Sequence, residues 1–214
     1  MQTHVHLQRL EIALLVALCL TLGGAVLPFE QECAQIRDKV IRLHVIANSN
    51  SAEDQAEKLR VRDRILFDTG ARLQRVASRA DAEALITALL PEIEQSAAAQ
   101  LREDGYAVNV QAELTDMYFT TRTYNSGTLP AGTYRALRIT IGEGAGENWW
   151  CVMFPPMCVS AALGTETDES SVQLEDVLTD GEFEIVTQPE KFEVRLKLVE
   201  WWTQLVAWLH GDAG

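Results

Sequence analysis

Two adjacent tryptophans constrain what this chain can fold into more than any other feature. Trp149 and Trp150 lie within residues 143–158, Glu-Gly-Ala-Gly-Glu-Asn-Trp-Trp-Cys-Val-Met-Phe-Pro-Pro-Met-Cys. On an extended segment neighbouring side chains point to opposite faces, so a single core cannot take both indoles. Either a sheet is covered on both faces, each indole under a different helix, or one indole stays partly exposed for a partner. The residues support both readings, because tryptophan is favoured in cores and in recognition surfaces alike. Gly144 and Gly146 supply backbone conformations closed to other residues, and Pro155-Pro156 imposes an extended or turning path. A phosphate loop is rejected. The glycines are not followed by a helix opening with Lys-Ser/Thr, and Glu143 and Glu147 would repel the anion.

The rest of the composition narrows the function. A formal net charge of -13 over 214 residues lacks the basic stripe of a nucleic-acid groove and the polybasic patch of an anionic-lipid binder. Residues 12–29, Ile-Ala-Leu-Leu-Val-Ala-Leu-Cys-Leu-Thr-Leu-Gly-Gly-Ala-Val-Leu-Pro-Phe, carry no charge and follow Arg9. Such a run sits between a signal-peptide core and a short membrane span, and the leading positive charge predicts export of the chain beyond it. Cleavage after Ala25 and an uncleaved anchor both fit. The expected division is a signal or anchor at 1–29 and an extracytoplasmic domain at 30–214. Of the four cysteines, Cys151 and Cys158 have the spacing of a short-loop disulfide outside the cytoplasm, with buried thiols as the alternative. Without a Cys-x-x-Cys or a neighbouring histidine, no metal site is expected.

The periodicities describe an α+β domain: a mixed or antiparallel sheet packed with two long helices and an aromatic C-terminal helix. Residues 40–47 alternate as a strand, with Ile41, Leu43 and Val45 on one face. Ser51 with Asp54, and Ser78 with Asp81, have capping-box spacing. They open helices expected at 52–76, with Ala56, Leu59, Leu66 and Leu73 as the core stripe, and from 79 to Gly105, with Leu85, Leu89, Ile93 and Ala97 as the stripe. Asp63 reads as a rim carboxylate paired with Arg60 or Arg64, and Pro91 is expected to kink or divide the second helix. Strands are expected at 106–114, 117–124 and 133–141. Residues 164–189 are acidic and read as a mobile surface segment with a short helix near 172–178. Residues 190–210 form a helix whose apolar face, including Trp201, Trp202 and Trp208, is wider than a surface helix needs. Packing across the sheet is the favoured reading, with a membrane-surface or partner contact as the runner-up.

No catalytic constellation emerges. Only four histidines are present, and no Gly-x-Ser-x-Gly elbow accompanies His44. Neither a cofactor nor a catalytic residue is expected. The other reading is an extracytoplasmic cell-wall or related hydrolase built at the strand–helix turn, using Asp54, Asp63 and His44.

The residues also carry a resemblance. Ile41-Arg42-Leu43-His44-Val45-Ile46-Ala47-Asn48-Ser49, then Asp54-Gln55-Ala56, Lys58-Leu59 and Val61-Arg62-Asp63, are similar to the opening block of the stage II sporulation protein R family. A second block runs from Pro130-Ala131-Gly132 through Ile139 and Gly142-Glu143-Gly144 to Asn148-Trp149-Trp150-Cys151-Val152 and Phe154-Pro155-Pro156. Thr120 and Asn125 depart from the family's tendency towards proline and glycine at those places. The resemblance implies a signal exported from the forespore into the space between forespore and mother cell. There it activates a membrane-embedded aspartic protease of the mother cell, stage II sporulation protein GA, which processes the precursor of sigma factor E. On that reading Glu143, Glu147, Asn148, Trp149, Trp150 and Phe154 form the candidate contact surface, and the N-terminal run supplies the membrane contact.

Overall fold

The computed structural model describes residues 2–156 and 173–210. Its centre is a mixed four-stranded sheet of β1 (Ile41–Ile46), β2 (Val110–Phe119), β5 (Gly132–Ile141) and β6 (Asn148–Phe154), in the order β2-β5-β1-β6. β1 and β5 are parallel, while β6 pairs antiparallel with β1 and β2 antiparallel with β5. A small hairpin of β3 (Arg122–Tyr124) and β4 (Gly127–Leu129) forms a separate ladder, packed on the core through Tyr124 and Leu129.

Both faces of the sheet are covered. On one, Ile41, Leu43 and Val45 join Leu137, Ile139 and Ile141 beneath α2 (Ala52–Leu73) and α3 (Arg79–Glu103). On the other, Tyr134, Ala136, Val152 and Phe119 pack with Phe29, Cys33 and Ile36 of α1 (Gln2–Asp38). Leu174, Ile185, Leu196 and Val199 complete that layer, drawn from α4 (Leu174–Val177), α5 (Asp180–Thr187) and α6 (Glu193–His210).

The two capping serines act as the spacing requires: Ser51 Oγ accepts from the Asp54 amide and Ser78 Oγ from the Asp81 amide, both at 3.1 Å. Elsewhere the structure corrects the sequence. The buried face of α2 is rotated, running through Lys58, Val61, Ile65, Leu66, Thr69 and Leu73, with Leu59 only half-buried. Asp63 is at the rim but pairs with Arg62 at 2.7 Å. α3 passes through Pro91 as one helix. The strands expected at 106–114 and 117–124 are instead β2, one strand because residues 110–119 pair without a break along β5, and the short β3. The short helix expected near 172–178 is present at Leu174–Val177. The acidic residues after it form a second helix, Asp180–Thr187, and not a mobile surface, with Leu174, Leu178, Ile185 and Val186 buried. Residues 164–172 of that expectation lie outside the described residues. The C-terminal helix packs along one side, with Leu196 and Val199 buried and Thr203 bonded to Tyr118, whereas Trp201, Trp202 and Trp208 are exposed.

The expected boundary after residue 29 falls inside α1. The helix continues through Pro28, and Phe29, Cys33 and Ile36 belong to the core. Among the described residues no helix is long and apolar enough to cross a membrane.

Candidate functional site

The parallel pair β1 and β5 brings two loops together at one end of the sheet: residues 47–51, which lead into α2, and residues 142–147, which lead into β6. Backbone and side chain stitch them to each other. The amides of Ala145 and Gly146 donate to the carbonyls of Asn48 (3.1 Å) and Ala47 (2.9 Å). Asn48 Oδ1 accepts from the Glu143 amide at 3.1 Å, and Asn50 Oδ1 accepts from the Glu147 amide at 2.7 Å. Lys58 Nζ, on α2, donates to the Glu147 carbonyl at 3.0 Å, and burial holds its pKa below the ordinary lysine range. Gly142 and Gly144 adopt positive φ (56° and 61°). Gly146 does not, contrary to the sequence reading. Its role is close approach, since a Cβ there would lie 2.2 Å from the Ser49 carbonyl oxygen. These contacts fix the loop so tightly that the residues of β6 emerge in one orientation.

β6 then splits its tryptophans between the two faces. Trp149 pairs in register with Val45, on the α2 side, and the guanidinium of Arg62 lies 4.2 Å from its ring centroid. It remains 36% exposed. Trp150 pairs with His44 on the opposite face and stacks on its imidazole at 3.9 Å, with Phe119 edge-on at 4.9 Å. Each indole thus has its own cover, as a two-faced sheet requires, and Trp149 is the more open of the two to solvent.

Of the candidate contacts, Glu143, Glu147 and Asn148 border the loop, Trp149 is exposed, and Trp150 is half-buried. Phe154 is fully buried. A side chain with no surface cannot meet a partner, so Phe154 leaves the contact set and belongs to the core. Cys151 is buried, and its proposed partner Cys158 lies outside the described residues.

Behind the aromatic end lies a polar interior that the sequence did not disclose. His44 Nε2–H donates to Asn148 Oδ1 at 2.7 Å. Burial lowers the His44 pKa to about 4, against the Asn148 bond, with Arg138 adding to the decrease. The ring is therefore neutral near pH 7 and is a poor proton reservoir. Arg42, its neighbour on the same face, is fully buried. Its Nε donates to the Cys151 carbonyl at 3.1 Å and its Nη2 to the Tyr124 hydroxyl. The guanidinium lies over the rings of Phe119 (4.3 Å), Tyr134 (5.0 Å) and Tyr124 (5.4 Å). Ring faces, rather than a carboxylate, carry much of the solvation of this charge, and burial lowers its pKa.

The residues of the hydrolase reading do not converge. Asp54 accepts from Ser49 Oγ (2.5 Å) and Asn48 Nδ2 (2.9 Å), which hold its pKa down. Asp63 is engaged by Arg62, and His44 faces Asn148 and Trp150. Asp54 therefore braces the loop. Sequence reasoning missed Arg62, Lys58, Asn48 and Asn50. The Asn-Ser-Asn-Ser run directly after a strand was the available signal for the two asparagines, since such side chains bond backbone locally.

The geometry defines a class first: an α+β domain presenting a braced aromatic loop at one end of a sheet closed on both faces. The chain belongs to the stage II sporulation protein R family, whose sequence profile matches residues 37–163. It is 33% identical over 191 residues to stage II sporulation protein R of Bacillus subtilis (strain 168), covering 82% of this chain and 85% of that protein. No solved structure matches it. The matched region holds the whole sheet and both interlocked loops, and it ties the chain to a sporulation role.

Proposed function

We propose that the protein is an exported sporulation signal that switches on a membrane-embedded aspartic protease of the mother cell, stage II sporulation protein GA, which then processes the sigma factor E precursor. Family membership supports the role. The observation that carries the mode of action is Trp149: an indole on β6 held by Arg62, directly after a loop braced from Asn48, Asn50 and Lys58, yet open to solvent beside Glu143 and Glu147. Rigid aromatic residues with a polar rim are the usual energetic centre of a protein contact. Export rests on the charge-free run at 12–29 behind Arg9.

Co-expression of the full chain with the protease and its precursor in a non-sporulating host tests the reading. Precursor cleavage is expected only when the chain is present and exported. Cleavage at the same rate without it would refute the signalling role. Trp149→Ala should then abolish cleavage while the melting temperature falls by only a few degrees. Retained cleavage would move the contact surface elsewhere.

A further inference from the structure

The C-terminal helix α6 holds the largest feature that the site above leaves unused. Its buried side, Leu196 and Val199, is satisfied by the core. Its outer side is a ridge: Val194, the half-buried Leu198, Trp201, Leu205 and Trp208 succeed one another at intervals of four, three, four and three residues, with Trp202 and Leu209 alongside. Val194 is 73% exposed, Trp201 60%, Leu205 49% and Trp208 69%. Alternating spacings of three and four place side chains on one seam of a helix, the pattern that two helices use to interlock. From Trp201 to His210 there is no charged residue.

The exposed parts of these side chains amount to roughly 800 Å². That exceeds the roughly 300–600 Å² of the largest apolar patch on a typical monomer and equals what each partner contributes to a standard-sized interface.

The helix is badly placed to lie on a bilayer entered by α1. Phe192, just before α6, stacks on Phe29 at 5.6 Å, and Arg195 lies over the same ring. Further along, Thr203 bonds the Tyr118 hydroxyl at 3.2 Å. Tyr118 adjoins Phe119, whose register partner Gly132 has the Arg37 side chain packed against it. α6 therefore runs in the same sense as α1, carrying its tryptophans away from the apolar residues that precede Phe29.

We infer that α6 pairs with α6 of a second copy of this chain, antiparallel, ridge against ridge. The uncharged seam lets two chains of net charge -13 meet without acid between them, and it offers nothing for a charged partner to complement. Antiparallel pairing sets Val194 of each copy against Trp208 of the other, with Trp201 at the two-fold centre. It also keeps the Arg195 and Lys197 side chains of the two copies apart. The inference does not depend on the signalling role.

The test is site-specific photo-crosslinking of the full chain in membranes of a host cell. A benzophenone amino acid at Leu205 is expected to give a covalent two-copy species. The same group at Phe67, also well exposed but on α2, should not. Trp201→Glu, introduced with the Leu205 probe, should cut the two-copy yield at least about tenfold, as loss of an interface anchor does, while the single-copy chain keeps its native circular-dichroism spectrum. The inference is overturned if Leu205 crosslinks to lipid or to another protein instead of a second copy. It is equally overturned if Phe67 crosslinks as well as Leu205, or if Trp201→Glu leaves the yield intact.

Discussion

The dipeptide Trp-Trp occurs twice in this chain, with opposite outcomes. On β6, Trp149 and Trp150 point to opposite faces and each acquires a cover, Arg62 for one and His44 with Phe119 for the other. On α6, neighbours are only about 100° apart, so Trp201 and Trp202 both lie on the outer side, 60% and 47% exposed. Identical residues are thus divided by a strand and kept together by a helix. The first arrangement braces the fold. The second leaves apolar surface for something outside it.

The comparison breaks most visibly at Trp150. Trp150→Ala removes a half-buried indole stacked on His44, and it should cost about 3 kcal/mol of stability, read as a lower melting temperature in thermal unfolding. A loss under about 1 kcal/mol would mean that the indole is not a support.

His44 sharpens the same face through pH. Its folded pKa of about 4 lies below the ordinary value of 6.5, so the unfolded state binds the extra proton first. The neutral ring's contribution is fully present above pH 6.5 and is lost as pH falls through 4, by about 3 kcal/mol in total. Unfolding midpoints measured from pH 7 to pH 4 for the native chain and for His44→Gln should converge as the pH drops. Parallel curves would contradict the assignment.

On the outer side of β6, Arg62→Ala removes a cation over an indole that is still partly wet. An effect of about 0.5–1 kcal/mol is expected, accompanied by a change in Trp149 fluorescence. Smallest of all, Trp208→Ala on the helix should shift stability by no more than about 0.5 kcal/mol. This holds for the chain diluted until it is a single copy, where Trp208 has no partner; a larger loss there would place Trp208 in the fold and not on the ridge.

Much of this is legible in the sequence because it is local. Ser51 and Ser78 announce their helices within four residues, and the alternation of β1 and β5 needs no partner to be recognised. The opposed faces of Trp149 and Trp150 come from strand geometry alone. What escapes depends on contacts distant in sequence. Nothing near Arg42 indicates that Tyr124, Phe119 and Tyr134 will cage it. The stripe of α2 is misleading because apolar Ala56 and Leu59 outweigh Lys58, a lysine that can be buried because the Glu147 carbonyl and Gln55 Oε1 meet its amine. α5 is hidden by its acidity, although its signal is local: Thr179 accepts from the Glu182 amide and the Glu182 carboxylate accepts from the Thr179 amide, a capping box written into the sequence. The exposure of the distal half of α6 has no sequence signal beyond an apolar face too wide for its place.

The passage of α1 from its charge-free run into the core has a mechanical meaning. The helix enters the domain as a shaft, keyed by Phe29, Cys33 and Ile36 and locked at its end by Arg37, which grips Glu30 and the Ala131 carbonyl. The helix runs without a break from before Phe29 into the part packed on the sheet, with Pro28 and Gly23-Gly24 as its points of bending. An anchor on the upstream residues would act on the body through a helix, bearing on its tilt and on the direction in which the braced loop points. A coil tether would let the domain sample every orientation, whereas a helix keyed into the core narrows that range.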